Sequence, residues 1–223
     1  MIDNKARRPL KTRNSKLVKS IARYLSQGAI TPNQISLASV GFAAAAAVCL
    51  LLLPYQLDAV GGLLAILAAA FIQGRLLCNL FDGMVAVEGG KSSPAGELFN
   101  DIPDRIADPL ILVPVGYAVS AVPWASAGGW LAGLLAVLTA YMRTLGASLG
   151  APTDFQGPMA KQHRMAVVTI ACLLTPVEYL IWPERQEYVL LLALLLIIIG
   201  CIVTLYRRVL TTYRYLEQRS RCG

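Results

Sequence analysis

Asn79-Leu80-Phe81-Asp82-Gly83-Met84-Val85-Ala86-Val87-Glu88-Gly89-Gly90-Lys91-Ser92-Ser93-Pro94-Ala95-Gly96-Glu97-Leu98-Phe99-Asn100-Asp101-Ile102-Pro103-Asp104 interrupts a chain that is otherwise mostly hydrocarbon. An apolar run from about Ala59 to Phe81 leads into it, and another from about Leu98 to Ala121 leads away. A bilayer penalises every charge, so ionisable groups gathered where two apolar runs meet mark a functional site. The middle of the stretch, rich in Gly and Ser, reads as a loop. It lets two helices fold against each other.

Outward from this hinge the chain keeps the same character. Of its 223 residues 56% are hydrophobic and 15% are charged, with a mean hydropathy of +0.58. Soluble domains carry about 25% charged residues. Besides the two flanking runs, four more approach the ~20 residues that cross a bilayer: about Gln34 to Leu53, Ser126 to Ser148, Met165 to Trp182 and Tyr188 to Tyr206. Thr31-Pro32-Asn33 ahead of the first is a helix-start signal. The pattern predicts an all-α, polytopic membrane protein of one domain over 1–223. It comprises a basic amphipathic arm (1–30), a six-span bundle (34–206) and a basic tail (207–223).

Charge gives the orientation. Lys5, Arg7, Arg8, Lys11, Arg13, Lys16, Lys19 and Arg23 alternate with Leu17, Val18, Ile21, Ala22 and Leu25 at helical spacing. That predicts a helix lying on an anionic membrane face. The loops at Pro54–Asp58 and Pro123 have no Lys or Arg, and the loop at Pro183 has only Arg185. The loop over 149–164 has Lys161 and Arg164, with Arg143 just inside, and the tail has Arg207, Arg208, Arg214, Arg219 and Arg221. By the positive-inside rule both termini and the Asn79–Asp108 segment face the cytoplasm. The formal charge of +7 follows topology and does not point to nucleic acid. The N-terminus is too basic and polar for a signal peptide. Five cysteines without paired spacing indicate neither a disulfide framework nor a zinc site. A bacterial inner membrane fits these features.

The stretch itself carries the chemistry. On one helix Arg75, Asn79, Asp82 and Ala86 share a face. On the next, Glu97, Asn100, Asp101, Asp104 and Asp108 fall within an arc of about 100°. Facing each other, they predict an oxygen-lined cleft suited to a hard divalent cation, Mg²⁺ or Mn²⁺. Arg75 is expected to pair with the acids or with a phosphate. Arg143, Lys161 and Arg164 are expected as phosphate or acceptor contacts, since Arg forks suit phosphate oxygens. His163 between them reads as a solvated loop histidine. Pro103 either kinks the third helix or marks its start.

The spacing resembles the signature of the CDP-alcohol phosphatidyltransferase family: Asp-x-x-Asp-Gly-x-x-Ala-Arg, eight residues, Gly, three residues, Asp, three residues, Asp. The matching positions are Asn79, Asp82, Gly83, Ala86, Val87, Gly96, Asn100 and Asp104; Asn79 and Asn100 stand for Asp and Val87 for Arg. Thr31-Pro32-Asn33 and the run Gly157 to Arg164 also look similar. The resemblance implies a homodimer of six-span subunits. It implies transfer of a phosphatidyl group from a CDP-linked lipid, CDP-diacylglycerol, to a polar or phosphorylated alcohol, with release of CMP, in phospholipid biosynthesis. It assigns Asn79, Asp82, Asn100 and Asp104 to divalent metal, Gly83, Ala86, Gly96 and Asn79 to the CDP donor, and Asp104 to general-base work.

The departures leave two carboxylates and two amides at the four acidic positions, so about −2 in place of −4. Amide oxygens ligate without adding charge. Asp101, Glu97 or Asp108 could supply what is missing. Three arrangements fit: two metals with shifted ligands such as Asp101, one metal, or a degenerate site that binds nucleotide or lipid without turnover. An ion-coupled transporter fits less well, because the charges sit near one membrane face, not at the midplane.

Overall fold

Thr31 starts the first long helix. Its hydroxyl accepts the backbone N–H of Gln34 at 3.3 Å, while the Gln34 side chain accepts the N–H of Thr31 at 3.0 Å. This capping box, with Pro32 in the first turn, explains the start signal. The computed structural model describes residues 20–24, 30–56, 58–88, 95–152, 157–182 and 187–222. It contains α1 (Pro32–Leu52), a short 3₁₀ turn (Leu53–Tyr55), α2 (Asp58–Glu88), α3 (Gly96–Ala118), α4 (Ala125–Ser148), α5 (Lys161–Ile181) and α6 (Tyr188–Cys222). Among the described residues there is no strand.

Five of these helices, all but α3, are long and apolar enough to cross a membrane. α3 carries Asp101, Asp104, Arg105 and Asp108 in its first half and belongs to the same bundle. The helices close a ring: α1 packs on α2 and α3, α3 on α4, α4 on α6, α6 on α5, and α5 back on α2. Leu50, Ile72, Ile111, Leu112, Met165, Leu194 and Ile197 are fully buried in the centre. Leu63, Leu134, Ile170, Leu192 and Ile199 lie outside, as a bilayer permits. α3 and α4 cross on glycines: a Cβ at Gly116 would lie 2.5 Å from the carbonyl oxygen of Ala125. Small residues at such crossings let backbones meet.

α2 continues past Phe81 to Glu88, so Arg75, Asn79, Asp82 and Ala86 stand on the one helix that the periodicity placed them on. Two features differ from the sequence expectation. α3 runs unbroken through Pro103, Pro109 and Pro114, beginning a full turn and more before Pro103. The expected tail is a continuation of α6, whose 35 residues reach about 52 Å at ~1.5 Å each. That exceeds the ~30 Å hydrocarbon layer. The extension is tied down by protein contacts: Arg208 donates to the carbonyl of Thr139, and Thr212 packs against Gly146.

Of the expected N-terminal arm, residues 20–24 are helical, and Ala22 is buried against Leu80 and Met84 of α2. Residues 1–19 and 25–29 lie outside the described residues, as do the side chains of Val87 and Glu97.

Candidate active site

α2 and α3 hardly touch backbone to backbone, because α1 lies against both. Long side chains bridge the gap. Arg75, with 0% of its surface exposed, donates through Nη2 to Asp104 Oδ1 at 3.3 Å and to Asp108 Oδ1 at 2.6 Å. Asn79, one turn further along α2, donates its amide to Asp104 Oδ1 at 3.0 Å. Asp82, the next turn on, is buried and accepts the hydroxyl of Ser36 on α1 at 2.6 Å as well as the N–H of Gly83.

α5 supplies the cations from the other side. The segment before it is docked on α6: Met159 N–H donates to Thr204 Oγ1 at 3.0 Å, and a Cβ at Gly157 would lie 2.5 Å from Thr204 Cγ2. Gly157 also has a φ of +125°, a conformation that side chains disfavour. So placed, Lys161 pairs with Asp104 Oδ2, and Arg164, 2% exposed, pairs with Asp108 Oδ2 at 2.6 Å. Arg164 also donates to the Met159 carbonyl at 2.9 Å and to Thr139 Oγ1 at 3.3 Å. On the rim, Asp101 pairs with Arg105 at 2.5 Å and Arg143 at 3.2 Å.

These groups border a cavity of about 220 Å³ whose wall includes Asn79, Asn100, Asp104, Arg105, Thr139, Arg143, Lys161, Arg164 and Arg208. Of the residues expected from sequence, Asn79, Asn100, Asp104, Arg143, Lys161 and Arg164 are thus together. Asp82, Gly83, Ala86, Gly96 and Asp101 are not in this wall, and Arg75 lies buried behind it. His163 is exposed, with Nδ1 2.8 Å from the carbonyl oxygen of Pro158.

The donor set decides how a divalent cation would fit. Asp82 already accepts from Ser36 and Gly83. Asp104 accepts from Asn79, Arg75 and Lys161, and Asp108 from two arginines. Asp101, expected as a replacement ligand, faces Arg105 and Arg143. Among the described residues no three Asp, Glu, His or Cys side chains converge. As they stand, these side chains do not fit a pair of divalent ions.

The fold has solved relatives. The chain is similar to Mycobacterium tuberculosis phosphatidylinositol phosphate synthase with CDP-DAG bound, with a TM-score of 0.68 and 18% identity over 89% of this chain and 94% of that one. The same protein in complex with manganese and citrate superposes with a TM-score of 0.67 at 18% identity, over 88% of each chain. At that identity the likeness shows the fold. No family model and no curated relative matches the chain.

Four contributors escaped the sequence reading. Ser36, Thr139 and Arg208 come from helices distant in sequence, and Arg105 lies among the acids of α3. The visible hint was polarity inside apolar spans: Ser36 and Thr139 are such residues. Asp108 was legible as an acid on the right face and Arg75 as a partner for the acids, but Arg164 as the second partner of Asp108 was not.

Proposed function

We propose that this chain is a membrane transferase of the CDP-alcohol phosphatidyltransferase family. It moves a phosphatidyl group from CDP-diacylglycerol to a polar alcohol and releases CMP. The observation that carries this reading is Asp104. It closes the family's spacing and stands in the wall of a cation-rich cavity, on a fold shared with a synthase whose structure holds CDP-DAG.

The chemistry asks little beyond placement and charge. An alcohol is a weak nucleophile, and Asp104 accepts its proton as it attacks phosphorus. Asn79 and Arg75 hold Asp104 through Oδ1, so Oδ2, on which Lys161 rests, is the oxygen for that proton. Lys161, Arg164, Arg143 and Arg208 line the space where phosphate charge would sit, and preorganised donors of this kind stabilise it as the bond to CMP breaks. The resemblance would put Gly83, Ala86 and Gly96 along the donor, outside the wall of this cavity. The excess of cations favours a phosphorylated acceptor. In this reading the cavity opens to the cytoplasm of a bacterial inner membrane, both termini are cytoplasmic, and the subunit pairs as a homodimer. The described carboxylates already have cationic or hydrogen-bonding partners, so Mg²⁺ or Mn²⁺, implied by the resemblance, would have to displace these to bind. Binding without turnover is the second reading; Asn79 and Asn100 favour it.

Purified protein in vesicles containing CDP-diacylglycerol tests the proposal, with glycerol 3-phosphate, inositol, inositol phosphate or serine supplied in turn. CMP release that requires one of these alcohols is the expected result. CDP-diacylglycerol binding with no release for any acceptor would favour the second reading.

A further inference from the structure

The family signature carries four acids for two divalent ions, and this chain carries two. Among the described side chains its acids are nonetheless matched: Asp104 and Asp108 pair with Arg75, Lys161 and Arg164, and buried Asp82 is held by the Ser36 hydroxyl and the Gly83 N–H. The rim set of Asp101 with Arg105 and Arg143 adds one more positive charge. Arg75 keeps Nε and Nη1 buried without a partner, so guanidinium donors, not carboxylate oxygens, are in surplus. Divalent ions entering such a site would meet net positive charge at close range and low dielectric, where repulsion is strong. An anion entering it would meet the opposite.

We infer that Lys161 does in this protein the electrostatic work assigned to divalent metal in the family, so that the donor diphosphate binds without a metal ion. The inference rests on the proposed function. The Lys161 ammonium lies on Asp104 Oδ2. When the diphosphate arrives, Lys161 exchanges that carboxylate for a non-bridging phosphate oxygen. Only about a quarter of its side chain is exposed, 27%, and it already lies in the cavity wall, so a change of rotamer suffices. The exchange uncovers Oδ2 while Asn79 and Arg75 keep Oδ1 in place. The acceptor hydroxyl gives its proton to Oδ2, its oxygen bonds to the phosphatidyl phosphorus, and the bond from that phosphorus to the CMP oxygen breaks. CMP leaves with the electron pair as a phosphate anion and needs no proton. Donor binding thereby turns on the base.

Two measurements on the full chain in nanodiscs test this. The first is a Mn²⁺ titration followed by electron paramagnetic resonance. The second is binding of CDP-diacylglycerol in EDTA and in Mn²⁺. The wild type is expected to show no saturable Mn²⁺ site and equal lipid affinity in both buffers, within about threefold. Lys161→Ala should weaken lipid binding about tenfold or more in both buffers, and Lys161→Arg should restore most of it. The double variant N79D/N100D, which rebuilds the acids, should gain a saturable Mn²⁺ site. A saturable site on the wild type, lipid binding lost in EDTA, or full affinity in Lys161→Ala would each overturn the inference. Absence of lipid binding in both buffers would instead overturn the proposed function, while the Mn²⁺ titration still decides whether the cleft excludes the metal.

Discussion

At the end of the bundle away from the cavity, Glu178 accepts the backbone N–H groups of Tyr188 at 2.6 Å and Val189 at 3.1 Å. Glu187 beside it accepts Ser120 through both N–H and hydroxyl, at 3.2 and 2.6 Å, and the Tyr179 hydroxyl at 3.1 Å. At the cavity end Asp104 and Asp108 are held chiefly by Arg75, Lys161 and Arg164. Both pairs of acids are shielded from solvent, yet they act differently. Glu178 sits at the start of α6, where unpaired N–H groups and the helix dipole favour an anion. Its donors are backbone and cannot leave. The donors at the cavity end include Lys161, a side chain in the cavity wall for which a substrate anion would compete. A buried acid satisfied by backbone is a fastener; one satisfied by a side-chain cation beside a cavity is available for chemistry.

The sharpest break of this contrast is Asp104→Asn. It should lower CMP release by about 10²–10⁴-fold with little change in thermal unfolding in detergent. Equal loss of both would place Asp104 with the fasteners. Asp108→Ala should do the opposite. It strands Arg75 and Arg164 without their shared carboxylate, and leaving buried charges unpaired costs about 3–5 kcal/mol, to be read as a lower unfolding midpoint. An unshifted midpoint would mean the cluster relaxes without cost.

Glu178→Gln probes the other end. Removing the charge at the α6 start should cost about 1–2 kcal/mol of stability, with CMP release per folded molecule unchanged. A drop in turnover would show that the two ends are coupled through the bundle. The smallest effect is expected for Asp101→Asn. Its side chain is 42% exposed and its partners are solvated, so the pair is worth about 0–1 kcal/mol. CMP release should stay within about fivefold of wild type. Near-complete loss would bring Asp101 back among the residues at the reacting atoms.

Much of the site could be read in the chain because it is local. Arg75, Asn79 and Asp82 follow one helix face, and Asn100, Asp104 and Asp108 follow another, so periodicity alone groups them. Gly157 ahead of α5 belongs to a recognisable run, and its positive φ and close approach to Thr204 explain why glycine stands there. Lys161 and Arg164 were less legible. The same residues would appear as flanking positive charge in any membrane protein of this orientation, and nothing local says that they turn inward. Ser36 and Arg208 carry no local signal that links them to the acids. Polar atoms inside apolar helices must find partners in the protein, but which partner each finds depends on how the helices pack.

The sequence by itself determined the six helices, within a few residues except at the C-terminal ends of α2 and α6, which run on past the expected spans. Bilayer thickness sets the least length of a span, and backbone hydrogen bonds must close within it. It also determined the two acidic faces, through helical periodicity. It could not determine what those faces meet. Only the tertiary structure, by closing the ring of α1, α2, α5, α6, α4 and α3, carried Lys161 and Arg164 across to Asp104 and Asp108. The physical reason is range: hydropathy and periodicity act along one helix, whereas the charge balance of a buried cleft is set by side chains that arrive from several.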